Sequence, residues 1–314
     1  MRIADSVLTS LMTNSMSTNY NTYADIIQKI ANNKNFTKVS ENPTDAIKVL
    51  KFDNQLSKLN IYQSNIQAAT NEMNYTYETL GSIDEQVSAI NSLILQAANS
   101  TTGPDAAKAI AVEIDERVKT IQDKLNSKYM DNYIFAGSYT STIPYEEKDG
   151  VITYQGSPDS AGKRNLTIAE NTPFTYNITG NDIFGSEIYK FKDENGVEQN
   201  VTSDFFTQMA ELSNLLNADT IDHNKIREKI QVSTYAVNSV SQAQGKVSAQ
   251  VSKLDTAKEL NDTTILNLTE DKSELEEIDI IKAASELANA QTALQASYAL
   301  GSRILSNVSL LDYI

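Results

Sequence analysis

The sequence predicts a mainly α protein: a long antiparallel coiled-coil rod built from both termini, with a small mixed-β insert domain. Three observations carry this. Gly and Pro are scarce, 11 and 5 in 314 residues, and seven of the glycines and three of the prolines fall between residues 137 and 196. Both flanks of that stretch carry heptad periodicity. The stretch itself alternates apolar and polar residues between turn signals.

The first arm justifies the helical half of this reading. Leu59, Ile66, Met73, Leu80, Val87 and Ile94 recur every seven residues. Tyr62, Ala69, Thr76, Ile83, Ile90 and Ala97 follow three residues later, so eleven of twelve a/d positions are hydrophobic. A helix over these positions is about 60 Å long at 1.5 Å per residue. A stripe of that length needs a partner helix to cover it. Ser40-Glu41-Asn42-Pro43-Thr44-Asp45 reads as a turn and helix start, and Gly103-Pro104-Asp105 as the break before another helix near 105–130.

The second arm supplies the partner, so the two arms make one rod and the insert is expected to hang off its distal end. Ile226, Ile230, Val237, Val240, Val247, Val251, Leu254, Ile265, Leu268 and Leu275 share one register, interrupted by Ser233, Gln244, Lys258, Asn261 and Lys272. Polar residues at such positions reduce stability and fix register. The rod core is therefore expected at Leu59, Ile66, Met73, Leu80, Val87, Ile94, Val240, Val247, Val251 and Leu254. The register slips near residue 279, and a new stripe follows through Ala283, Leu287, Ala290, Leu294, Ile304, Val308 and Leu311. At the other end Met12, Met16, Tyr23, Ile26 and Ile30 have helical spacing, diluted by Asn, Ser and Thr. Such a segment does not hold as an isolated helix. It needs its own C-terminus or another molecule.

In the insert, Asp149-Gly150 and Asn195-Gly196 mark tight turns between extended runs, and Leu166–Ile168 and Phe174–Ile178 alternate. Eight of the 23 aromatic residues lie between 137 and 196, enough for a small separate core. The chain thus divides into an N-terminal assembly helix (1–40), a first arm (41–135), a β-rich outer insert (136–203), a second arm (204–278) and a C-terminal assembly helix (279–314).

Composition narrows the chemistry. Lys and Arg number 26 against 41 Asp and Glu, a net charge of −15, which opposes binding to nucleic acid or anionic lipid. There is no Cys, so thiolate chemistry and disulfides are excluded. The single His223 sits in a polar turn before a helix, where a solvated or capping role is expected. No carboxylate run has the spacing of a metal loop. No catalytic, cofactor or metal site is therefore assigned. Met1-Arg2-Ile3-Ala4-Asp5-Ser6 lacks the features of a cleaved signal peptide, and no run is long enough for a membrane helix, so the expectation is residence in the cytoplasm or export without a cleaved signal.

Four stretches resemble a known family. They are Met1-Arg2-Ile3 with the Ser/Thr/Asn-rich helix behind it; Ile30-Ala31-Asn32-Asn33-Lys34-Asn35-Phe36 through Asn42-Pro43-Thr44-Asp45-Ala46; Asn126-Ser127-Lys128-Tyr129-Met130-Asp131-Asn132-Tyr133-Ile134-Phe135-Ala136-Gly137-Ser138-Tyr139-Thr140; and Ser309-Leu310-Leu311-Asp312-Tyr313-Ile314. Together they resemble the flagellin-like hook-filament junction family of bacterial flagella, the hook-associated protein 3 family. The third stretch, with Tyr129, Tyr133, Phe135, Ala136 and Gly137, is the most specific. The family's glycine near residue 32 is Asn here, and the acidic pair before Pro43 is Glu41-Asn42.

The resemblance implies a structural protein, exported through the flagellar type III apparatus without a cleaved signal and bound by an export chaperone on the way. It implies an extracellular place at the hook-filament junction, as a ring of identical subunits between hook-associated protein 1 and flagellin, supporting motility. Val7, Leu11, Met12, Met16, Leu294, Ile304, Leu305, Val308 and Leu311 are expected to face neighbouring subunits, with ends that are loose in the monomer folding on assembly. Two other readings compete: flagellin itself or another secreted coiled-coil assembly protein, and an enzyme on the insert using paired carboxylates. The insert contains no His and no Gly-rich loop.

Overall fold

The computed structural model describes residues 2–99, 101–148, 150–158, 162–192 and 198–311. In chain order the elements are α1 (Arg2–Asn32), α2 (Pro43–Ala97), α3 (Pro104–Leu125), β1 (Lys128–Tyr129), β2 (Asn132–Tyr133), β3 (Tyr145–Lys148), β4 (Val151–Tyr154), β5 (Asn165–Ala169), β6 (Thr172–Thr175), α4 (Asn181–Phe184), β7 (Glu187–Lys192), β8 (Glu198–Ser203), α5 (Phe205–Leu216), α6 (His223–Glu276) and α7 (Ile280–Leu311). The strands form four separate antiparallel hairpins, β1–β2, β3–β4, β5–β6 and β7–β8. The fold is mainly α with a small β insert.

Short polar residues start the helices. Asn42 accepts the amide of Asp45 through Oδ1 at 3.2 Å and donates to the Asp45 carboxylate at 2.7 Å, with Pro43 at the first helical position. Asp204 caps α5 through the amide of Thr207 at 2.9 Å. Asp222 and Asp279 do the same for α6 and α7. At the end of α1, Asn33 takes a left-handed φ of +52°, and the Lys34 amide reaches back to the Lys29 carbonyl at 3.0 Å. Asn thus supplies the helix-ending conformation that glycine usually provides.

The chain separates into two compact units, residues 1–58 with 263–314, and residues 59–262. This division cuts through α2 and α6, whereas the sequence reading places segment boundaries at 40, 135, 203 and 278.

In the second unit, α2 and α6 run antiparallel in a constant register. Gln63 meets Asp262, and Asn91 meets Ser233. Ile66, Met73, Leu80, Val87 and Ile94 are at most 1% exposed, as are Val240, Val247 and Leu254. Leu59 and Val251 are half-buried. Some polar interruptions of the second arm are used: buried Ser233 donates to Asn91 Oδ1 at 2.7 Å, and buried Asn261 to the Ile168 carbonyl at 3.5 Å. His223 opens α6 with Nδ1 3.1 Å from the Ala97 carbonyl, at the C-terminal end of α2.

Two expectations about the insert are corrected. It was expected at the distal end of a two-helix rod, but α3 carries the chain back along α2. Arg117 on α3 donates to Gln86 on α2 at 3.0 Å, and Tyr129 just beyond α3 packs on Tyr75, with ring centroids 5.6 Å apart. The β5–β6 hairpin then meets α2 at Asn65, about 48 Å from the Ala97 end at 1.5 Å per residue. Helix α5 fills the space beside α3, so the section near Ala97 and His223 has four helices rather than two. The separate insert core is also absent: Phe135, Tyr145, Ile168, Phe174 and Phe184 join the same continuous cluster as Leu80 and Val240. Four hairpins bury too little on their own and use the helices as their second layer.

Candidate assembly surface

Helices α1 and α7 pack antiparallel in the first unit. The register is fixed by Asn19, whose Nδ2 donates to Ser297 Oγ and to the Ala293 carbonyl. Ala283, Leu294, Ser297 and Gly301 form the buried stripe of α7. Met12 and Met16 lie across Gly301, where an added Cβ would sit 3.4 Å from both thioethers. Small residues let the helices approach closely, and methionine fills the gaps.

This places the expected assembly residues on two different faces. Val7 and Leu11 are 62% and 65% exposed. Met12 and Met16 are half-buried and Leu294 is 8% exposed, so all three take part in the α1–α7 contact within the chain. Ile304, Leu305, Val308 and Leu311 lie on α7, outside the residues whose side chains are described. The ends also form a helix pair in the single chain, in place of the loose segments expected. The reason is local: each helix has one apolar stripe, and the two stripes match in spacing, so neither has to fold alone.

Outside this stripe the pair carries further exposed apolar residues that the heptad search missed. Leu8, Tyr20 and Ile27 on α1, and Ile280, Ile281 and Leu300 on α7, are all exposed, Ile281 most of all at 86%. Ile280 and Ile281 are adjacent and cannot both lie in one stripe, which is the signal available in the sequence. Residues scattered singly need no explanation, but this many on one thin helix pair do.

The stretch containing Tyr129, Tyr133, Phe135, Ala136 and Gly137 has a different task. The Phe135 carbonyl accepts from the Gly180 amide at 2.9 Å and from Tyr154 Oη at 3.1 Å. The Ala136 carbonyl accepts from the Ser157 amide at 3.0 Å and its hydroxyl at 3.1 Å. Gly137 has φ +69°, and a Cβ there would lie 2.1 Å from Ser157 Oγ. Phe135 and Ala136 are fully buried. The stretch ties the insert's loops together through its Phe135–Gly137 part; Tyr133 is half-buried under the Lys128 ammonium, 4.4 Å from its ring.

Two ion pairs went unforeseen, one largely buried and one joining a buried lysine to an exposed carboxylate. Arg164 in the insert makes a bidentate pair with Glu72 on α2, at 2.6 and 3.0 Å, and lies over the Tyr176 ring at 4.7 Å. Lys229 on α6 bonds Gln208 and Glu211 on α5, both at 2.6 Å. Nothing local marks Glu72 and Arg164 as partners across 92 residues, although Glu72 flanks the heptad position Met73. Among the described residues no group of three or more His, Asp or Glu could hold a metal ion, and no helix is long and apolar enough to cross a membrane.

Comparison with known proteins follows the same lines. Residues 230–314, most of α6 and all of α7, match the bacterial flagellin C-terminal helical region. Over 279 residues the chain is 21% identical to flagellar hook-associated protein 3 of Escherichia coli K12, covering 86% of each. Its fold is similar to crystal structures of Xanthomonas campestris FlgL (TM-score 0.62, 16% identity, 71% of this chain and 99% of that one) and of the flagellar junction protein FlgL from Legionella pneumophila (TM-score 0.58, 15% identity, 73% and 99%).

Proposed function

We infer that this chain is a flagellar hook-associated protein 3, a structural subunit at the hook-filament junction of the bacterial flagellum. The observation that carries this is the likeness to the Escherichia coli protein over 86% of both chains, with a junction-protein fold around it. The flagellin C-terminal match covers the helical region that hook-associated and filament proteins would share, while the insert and its Tyr129–Gly137 stretch favour the junction protein over flagellin.

The chain works by packing, not by covalent chemistry. The α1–α7 pair is the part that polymerises, and its exposed apolar residues, Val7, Leu11, Ile280, Ile281 and Leu300, are what neighbours on several sides cover. Full burial of such a side chain contributes about 1.5–3 kcal/mol. Association costs about 4–15 kcal/mol in lost freedom, so one weak contact does not suffice and contacts on several sides do. A ring supplies those contacts: identical subunits laterally, hook-associated protein 1 on one side and flagellin on the other. Export proceeds through the type III apparatus with a chaperone, to a final place outside the cell. The preformed helix pair changes the mechanism from folding on binding to docking of an existing surface.

The test is exchange. Expressed in a mutant lacking its junction protein, the chain restores filaments and swimming; in a mutant lacking flagellin it does not. Filaments built from this chain in the flagellin mutant would overturn the assignment in favour of a filament subunit.

A further inference from the structure

Within the first unit the chain breaks twice at the same level. Residues 33–42 separate α1 from α2, and residues 277–279 separate α6 from α7. The two breaks are fastened to each other: the Asn35 amide donates to the Glu276 carbonyl at 2.7 Å. Around this single backbone bond lies a set of ion pairs. Lys34 meets one Glu276 oxygen at 2.5 Å and Lys272 approaches the other at 3.6 Å. Lys272 also holds Asp53 on α2 at 2.6 Å. At the far end of the first break, Lys29 on α1 bridges Asp25 and Glu41 at 2.9 and 3.2 Å, while Glu41 accepts the Thr37 amide and hydroxyl. Three lysines and four carboxylates thus link α1, the first break, α2 and α6.

We propose that these two breaks form one joint, and that the lysine–carboxylate network is an ionic clamp that holds α1, and with it the α7 packed on it, at a fixed angle to the adjoining ends of α2 and α6. The clamp loosens when salt screens it. Its members are partly open to solvent, with side chains 17–49% exposed, so each pair is weak and salt-sensitive. The helices themselves are held by apolar stripes and are indifferent to salt. Screening therefore acts on the joint before it acts on the helices. Glu41, Lys29 and Lys272 also titrate in the direction of a formed clamp. Burial at Glu41 opposes its charge, but Lys29 and Thr37 outweigh it and lower its pKa. Asp53 is the first cause that raises Lys272, and at Lys29 burial is outweighed by Asp25 and Glu41, so its pKa also rises.

The protein has no Cys, so a pair of spin labels can be placed cleanly on the full chain through Tyr20→Cys on α1 and Leu50→Cys on α2, both exposed. The label–label distance distribution is recorded at about 0.01 M and about 1 M NaCl, between which the screening length falls from about 30 to about 3 Å. The expected result is a distribution that broadens about twofold in high salt as the exposed pairs are screened. Glu41→Gln with Glu276→Gln gives the broad form already in low salt, with no further response. Helix content by circular dichroism stays constant throughout. A distribution that ignores both salt and the double substitution overturns the proposal. Broadening that comes with loss of helix signal also overturns it, because α1 and α7 are then melting rather than turning at a joint.

Discussion

Tyr145 buries its ring against Tyr154 and Phe206, with centroids 5.3 and 5.2 Å away, and its hydroxyl finds no hydrogen-bond partner among the described residues. Burial, reinforced by Tyr154, Asp204 and Asp182, pushes its pKa well above the ordinary 10.0. The group is therefore neutral when folded and ionises more readily when unfolded. Its contribution to stability is present below pH 10 and is lost as pH rises beyond it. Tyr145→Phe removes an unpaired buried hydroxyl, so at neutral pH it leaves stability unchanged or raises it by about 1 kcal/mol. Urea unfolding at neutral pH and above pH 10 checks this: the variant's advantage grows with pH, and a clear loss at neutral pH would mean that the hydroxyl is paired. Residue-scale features of this sort were only partly legible. Asn tolerates the left-handed region, but Asn32 and Asn33 are adjacent and nothing in the sequence says that Asn33 is the one that takes it. The Glu72–Arg164 pair was not legible, because a lone arginine in a Pro- and Gly-rich insert carries no periodicity to say where it lands.

At the scale of elements, the α2 and α6 core was legible because one physical rule, burial of a seven-residue repeat, governs dozens of residues together. Helix α5 and the return path of α3 were not, since α5 meets Lys229, off the heptad stripe of α6, and α3 packs on α2 and α5 by contacts that a single-stripe search ignores. The terminal helices show the same limit. Their spacing revealed a stripe, but not whether the stripe faced the other terminus or another molecule. The two faces now separate experimentally. Leu294→Asp buries a charge between α1 and α7 and destabilises that pair by about 3 kcal/mol or more, seen as early loss of helix signal in a thermal melt. Val7→Asp with Leu11→Asp changes only exposed positions, shifts stability by no more than about 0.5 kcal/mol per site, and abolishes incorporation into flagella. Normal incorporation of this double variant would remove the outward face from the assembly surface.

Over the whole molecule, the charge of −15 and the absence of Cys fit a chain whose work is assembly through helix faces. Fold class was legible because Gly and Pro are confined to one stretch, and everything outside it is free to continue as helix. Where the units divide was not legible, because α2 and α6 run through the division without a break and no change in composition marks residues 58 or 262. The central claim concerns position in the flagellum, and the most direct measurement is immunogold labelling of intact flagella with an antibody raised against this chain. A junction subunit gives label at a single point per filament, where hook meets filament. Label distributed along the filament would contradict the account.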